Sequence, residues 1–215
     1  VGFARHTDLL FALDIALGYV VTLALDRSTG RLTRTFTLEL PVDWGVRSLA
    51  FADQSAVAPG SEWRAMYISL QSASGLATVL YNSVTGETKL AQRVSYEAEC
   101  VAGATIAAAD QYVMQACRRD SSVRVSLIDK ESGLISGHAT TIPAVGSNDR
   151  GFAAFIDEAG FLTAVVGYLS ADLTATFKAK DVLDAKSDLK SGLEYDLTEA
   201  MYLGSPAYVV IKRKT

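Results

Sequence analysis

Histidine and cysteine are almost missing from this sequence. His6 and His138 are its only imidazoles, and Cys100 and Cys117 its only thiols, among 215 residues. A zinc site built from these four would have to gather distant segments, and their spacing matches no ligand pattern, so no metal is expected. Nucleophilic catalysis has no signature either. No G-x-S-x-G elbow occurs, and His138 alternates as a strand residue within "LISGHATTI". No glycine-rich loop follows a strand and opens a helix, which removes the nucleotide-binding pattern. "GSNDRG", 146–151, lacks the D-x-D-x-D-G spacing of a calcium loop. Only Asn82 and Asn148 are asparagines, and neither heads an N-x-S/T sequon, so N-glycosylation is not expected. Helical periodicity is nearly absent. Its best stretch, 179–193, reads as a loop or one short helix. Positive charge clusters only at Lys212-Arg213-Lys214, and the net charge is −4. Nucleic acid and anionic membranes are therefore not expected partners.

One segment requires a membrane test. Residues 9–25, "LLFALDIALGYVVTLAL", would span about 25 Å as a helix, short of the ~30 Å bilayer core. Asp14 lies inside it, and a carboxylate there costs about 2.5–3.5 kcal/mol on insertion scales. Two buried strands, 9–15 and 19–26, fit better, with a turn at Ala16-Leu17-Gly18. A chain that opens on Val1 is expected to be processed, or a piece of something longer.

Hydrophobic residues make up 49% of the chain and charged ones 20%. That composition supports a globular core. Apolar residues alternate at Val21, Leu23 and Leu25, at Leu32, Phe36, Leu38 and Leu40, and at Val123, Val125 and Leu127, the period of half-buried strands. Polar corners of one shape recur: Asp26-Arg27-Ser28-Thr29-Gly30, Asn82-Ser83-Val84-Thr85-Gly86 and Asp129-Lys130-Glu131-Ser132-Gly133. A weaker fourth spans 188–192. In each, the Asx side chain can cap backbone N–H groups and the glycine can take φ > 0. Three apolar segments precede each of the first three corners and one follows. Four strands in about 50 residues make a propeller blade. The fold class expected is all-β, built from propeller-like repeats of four-stranded antiparallel blades at 1–40, 47–96, 99–143 and 151–198, with a partial unit at 200–215. A β-sandwich or jelly roll is the competing architecture.

"VTLALDRSTGRLTRTF", 21–36, resembles the repeats of the β-propeller superfamily that includes PQQ-like and YVTN-type blades, whose outer strand pair carries a D-x-x-T-G corner. The resemblance implies a propeller. The tryptophan that usually follows the corner glycine in quinoproteins is absent from residues 31–35, so no cofactor is expected. In such a blade the connections from second to third strand, and from fourth strand to the next blade, share the usual ligand face. The D-x-x-T-G corners sit on the opposite face, where a structural role is expected.

The ligand-face segments would be 41–46, 71–75, 96–99, 118–122, 143–150 and 169–172. Trp44, beside Asp43 in "PVDWGV", is a candidate for stacking on a sugar ring or anchoring a protein, or else a plug over the sheet. Glu97 and Glu99 in "YEAEC" fall on one side of an extended segment, as paired carboxylates for acid–base chemistry require. Arg118 and Arg119 in "CRRDSS", and Asp149 in "GSNDRG", complete the candidates. Cys100 and Cys117 lie symmetrically about a turn between residues 108 and 109, which predicts a cross-strand disulfide and an oxidising compartment. The expected function is a non-enzymatic binding or scaffolding domain of a secreted or surface protein, contacting a protein partner or larger assembly. A carbohydrate-binding module with a glycan ligand is the second reading, and a glycoside-hydrolase-type enzyme the third.

Overall fold

The computed structural model describes residues 1–4, 7–51, 60–96, 103–109, 111–117, 122–143, 149–156, 162–168, 173–180 and 194–202. Among these, sixteen strands form four four-stranded antiparallel sheets, each a meander in chain order. The first sheet holds β1 (Gly2–Phe3), β2 (Leu9–Asp14), β3 (Tyr19–Asp26) and β4 (Arg31–Glu39). The second holds β5 (Val46–Phe51), β6 (Trp63–Leu70), β7 (Gly75–Asn82) and β8 (Thr88–Ser95). The third holds β9 (Gly103–Ala109), β10 (Tyr112–Cys117), β11 (Ser122–Ile128) and β12 (Ile135–Pro143). The fourth holds β13 (Asp149–Ile156), β14 (Leu162–Tyr168), β15 (Leu173–Lys180) and β16 (Glu194–Tyr202). The helical content among the described residues is one 3₁₀ turn, Val42–Trp44. The first strands β5, β9 and β13 adjoin one another in that order. Consecutive meanders set side by side in this way make a propeller-type fold, not the sandwich.

The apolar run 9–25 forms β2 and β3. Asp14 Oδ1 accepts the N–H groups of Ala16 and Leu17 at 3.1 and 3.0 Å, and Gly18 turns the chain at φ 72°. One boundary differs from expectation. Met201 and Tyr202, assigned by pattern to a fifth unit, extend β16 instead. They pair with Thr174 and Leu173, which completes the ladder along β15. The weak corner at 188–192, the stretch 181–193 and the segment 207–212 lie outside the described residues.

The second sheet shows why strand patterning alone hides the packing. Along β6 nearly every residue is buried, because both faces are covered. Met66, Ile68 and Leu70 join Phe11, Val20, Leu40, Ala77, Val79 and Tyr81 in a core shared with the first sheet. Ala65 and Tyr67, on the opposite face, join Ile106, Val113, Ile128 and Ile135 in a core shared with the third. Phe11, Phe51 and Tyr81 stack with centroids 4.9–5.8 Å apart, within the range of tilted and edge-on aromatic pairs. Polar bonds fix the second sheet to the third. The Tyr67 hydroxyl donates to Gly133 O at 2.9 Å. Gln92 donates to Ile135 O and accepts from Ile135 N, at 3.0 and 2.8 Å. Gln115 Nε2 donates to Gly75 O at 3.2 Å.

The three corners form as their residues require. Asp26 accepts from Ser28 N and Oγ and from Thr29 Oγ1, at 2.8, 2.6 and 2.8 Å. Asn82 accepts from Val84 N and Thr85 N, both at 2.9 Å. Asp129 accepts from Ser132 N and Oγ at 2.8 and 2.7 Å. Gly30, Gly86 and Gly133 take φ values of 69°, 76° and 71°. Each glycine N–H also bonds the carbonyl of its own Asx residue.

Candidate functional site

The connections separate into two ends. At one end, the β2–β3 turn meets the link to the second sheet, with Leu40 N donating to Gly18 O at 2.9 Å. The β6–β7 turn rests on the same link: Gln71 N bonds Gly45 O, and Ser72 N and Ala73 N bond Trp44 O. Tyr96 N bonds Ser74 O at that end as well. At the other end, the corners join the first-to-second-strand links. Leu25 N bonds Asp8 O, Arg27 pairs with Asp8, Ser83 N bonds Glu62 O, and Ile128 N bonds Gln111 O. The end opposite the corners therefore holds the described ligand-face segments 41–46 and 71–75, with Tyr96 beside them.

At that end the first strands of the second, third and fourth sheets each show a register shift. Val46 pairs with Leu70 but Ser48 with Ser69, so β5 carries one extra residue, Arg47. Asp149 pairs with Tyr168 but Gly151 with Gly167, so β13 carries one extra residue, Arg150. Gly103 pairs with Cys117 but Ile106 with Gln115, so Ala104 and Thr105 of β9 together face Ala116. A bulge adds one residue to one strand and re-aims the chain there. Val46 is 1% exposed, whereas Arg47 beside it is exposed. Neither arginine stood among the residues singled out from sequence. The available signal was the likeness of "VRSLAF", 46–51, to "DRGFAAF", 149–155.

The sequence candidates fall as follows. Asp43 is exposed in the 3₁₀ turn. Trp44 is half-buried and packs against the core of the first and second sheets. The Arg93 guanidinium lies 4.9 Å from its ring centroid. Arg93 belongs to β8, the last strand of its sheet. Asp149 is the first residue of β13. Glu97, Glu99, Arg118, Arg119, Cys100 and His6 lie outside the described residues. His138 is exposed, with Nε2 3.0 Å from Thr141 Oγ1.

The symmetric placement assumed for the cysteines is corrected. Ala109 pairs with Tyr112, so the hairpin reverses later than a turn between 108 and 109, and Cys117 faces Gly103. Among the described residues no three metal-ligating side chains cluster, and no helix is long and apolar enough to cross a membrane. Burial pushes the Tyr96 phenol up to about 12, with Arg124 4.2 Å from its ring centroid. Tyr96 is therefore a neutral hydrogen-bonding group, 3.2 Å from Ser126 Oγ.

No protein-family model matches the chain, and no curated protein sequence matches it. Solved structures do. A protein from Bacteroides uniformis, assigned as a 6-phosphogluconolactonase, superposes with a TM-score of 0.72 at 15% identity, over 96% of this chain and 55% of its own. A protein from Lactobacillus plantarum gives 0.70 at 17%, over 93% and 54%. The periplasmic gluconolactonase PpgL of Pseudomonas aeruginosa gives 0.67 at 18%, over 93% and 52%. The chain thus spans about half the length of these structures. The expectation of a non-enzymatic binding or scaffolding domain is corrected by these matches, because those described by an activity are lactonases. The sequence suggested otherwise because its polar loop residues are scattered over separate connections and form no contiguous motif. What the likeness establishes for this chain is its fold, a β-propeller type built of four-stranded antiparallel sheets.

Proposed function

We propose that this chain acts on a sugar lactone, opening its ring by addition of water at the end opposite the Asx-Gly corners. The observation that carries this reading is the likeness to lactonase propellers over 93–96% of the chain. Lactone hydrolysis needs few groups. A base takes a proton from water as its oxygen attacks the carbonyl carbon. Cationic or N–H donors hold the oxyanion, and the ring C–O bond breaks with the proton passing to the departing alkoxide. Glu97 and Glu99 lie in the sequence between β8 and β9, and Arg118 and Arg119 between β10 and β11. We assign the base to one of these glutamates and oxyanion stabilisation to these arginines. Ring opening releases acid, so pH-stat titration of glucono-1,5-lactone and its 6-phosphate tests the reading. Acid release above the spontaneous rate is expected, with about a 10²-fold loss in one of Glu97→Gln and Glu99→Gln. Release at only the spontaneous rate for both lactones overturns it.

The cysteine pair belongs to the same reading. We assign a disulfide between Cys100 and Cys117 and an extracytoplasmic location, like that in the name of the Pseudomonas enzyme. Cys117 is buried opposite Gly103, three residues beyond Cys100, and no described cysteine is free. Both thiols resisting alkylation in unfolded, unreduced protein is the expected result. Labelling of both overturns the pairing.

A further inference from the structure

We propose that the side of the first sheet turned away from the second docks on a second copy of this chain, so that two copies close one propeller ring. That side is apolar. Phe3 pairs with Leu10, Leu10 with Leu23, and Leu25 with Leu32, so these five side chains share one side of the sheet. Val21, two residues before Leu23, joins them. The other side meets the second sheet: a Cβ on Gly2 would run into Leu49 and Phe51, so Phe3 beside it points the opposite way. The apolar side is also uncovered. Phe3 is 54% and Leu32 44% exposed, and Val21, Leu23 and Leu25 are only half-buried. An apolar patch of this kind left in water marks an interaction surface.

The same positions in the next two sheets are blade-to-blade interfaces. Leu25, Tyr81 and Ile128 each stand one residue before the Asx of their corner. The ladder Phe3–Leu10–Leu23 corresponds to Phe51–Met66–Val79 in the second sheet. There, Phe51, Met66, Val79 and Tyr81 pack into the core shared with the first sheet. Ile128 likewise packs into the core shared with the second. Each of these sheets therefore has this side covered by the sheet before it, and the first has the same side prepared with no sheet upon it. Continuity of the repeated contact makes the occupant another four-stranded antiparallel sheet. The chain carries one at the other end of its series, where β2 adjoins β5, β5 adjoins β9, and β9 adjoins β13 of the fourth sheet. Length selects the second copy as its source. The chain spans 52–55% of the propellers it matches, so two copies supply about one such ring. A two-fold axis then sets the first sheet of each copy against the fourth sheet of the other. A head-to-tail contact of this kind gives a closed ring when its rotation closes, and a filament when it does not.

Sedimentation velocity of the 215-residue chain over a series of micromolar concentrations tests the docking, with small-angle scattering for shape. A particle of twice the chain's mass is expected, and scattering of a closed disc. Phe3→Glu and Leu25→Glu should each raise the dissociation constant at least about 10-fold, because each buries a carboxylate in the junction. Val84→Glu, at an exposed corner of the second sheet, should leave it unchanged. Should either glutamate variant lose its fold, Phe3→Ala or Leu25→Ala takes its place, with a smaller weakening in the same direction. A monomer at every concentration overturns the second copy. So does a dimer indifferent to both substitutions, or weakened equally by Val84→Glu. Mass that grows beyond two copies, or an elongated pair in place of a disc, overturns the closed ring.

Discussion

Asp26 shows how much one local side chain can organise. Hydrogen bonds from the Ser28 and Thr29 hydroxyls, joined by the Ser28 N–H, hold its carboxyl at about 2, below the usual range. Asp129 is lowered by the same kind of bonds from Ser132. A carboxyl whose folded value is depressed contributes stability that is present above about pH 4. That stability is lost as pH falls through the folded value. Both corners are exposed, so solvent screening keeps the effect small. Asn82 performs the same capping without a charge, which makes Asp26→Asn the informative change. Urea midpoints at pH 5 and pH 2.5 should differ less in this variant than in the native chain. An unchanged difference would show that the corner carboxylate has no part in the acid limb.

The glycines of these corners separate two further effects. Gly30 has open space around it, whereas a Cβ at Gly86 would lie 3.0 Å from Thr22 Cγ2 and Thr35 Oγ1. Both have positive φ, which costs a non-glycine residue about 1–2 kcal/mol. Gly30→Ala should show that cost alone. Gly86→Ala should exceed it, because the corner of the second sheet presses on the first. Thermal melts of the two variants check the order, and an equal shift would mean that the contact yields freely.

Elements are joined here by a few side chains that cross between sheets. Tyr67→Phe removes the only hydroxyl that reaches Gly133 O in the described residues and leaves that carbonyl buried, for a loss of about 1–2 kcal/mol. Denaturant titration reads it directly, and a neutral result would mean that water replaces the phenol. Trp44 acts at the same scale. Its indole covers the edge of the core formed by the first two sheets. Trp44→Ala should lower stability by about 2 kcal/mol, below the roughly 3–5 of a fully buried aromatic. Unchanged stability would return this residue to the ligand surface.

At the scale of the whole molecule, the second sheet is packed on both faces, and β10 of the third is buried along its length. Amides of β6, β7 and β10 should exchange with solvent slowly, and those of β4, whose first five residues are exposed, much faster. Equal protection in β4 and β6 would contradict this ranking.

What the sequence determined by itself was everything that local chemistry can encode. Alternation at Val21, Leu23 and Leu25 marks a strand without reference to any partner. The Asp26–Gly30 corner closes on its own hydrogen bonds, and its recurrence marks the first three sheets. Tertiary structure decided whatever depends on a partner. Cys117 faces Gly103, a register that symmetry about an assumed turn misplaced. Trp44 points towards β8, because the sheet it covers is assembled from residues up to fifty positions away. Arg47 and Arg150 look like ordinary strand residues until the ladder shows that each is one too many for its partner strand. A one-residue offset leaves almost no trace in alternation, since it is a property of two strands at once. The chain alone could specify its blades, but only their pairing shows which residues fall outside the ladder.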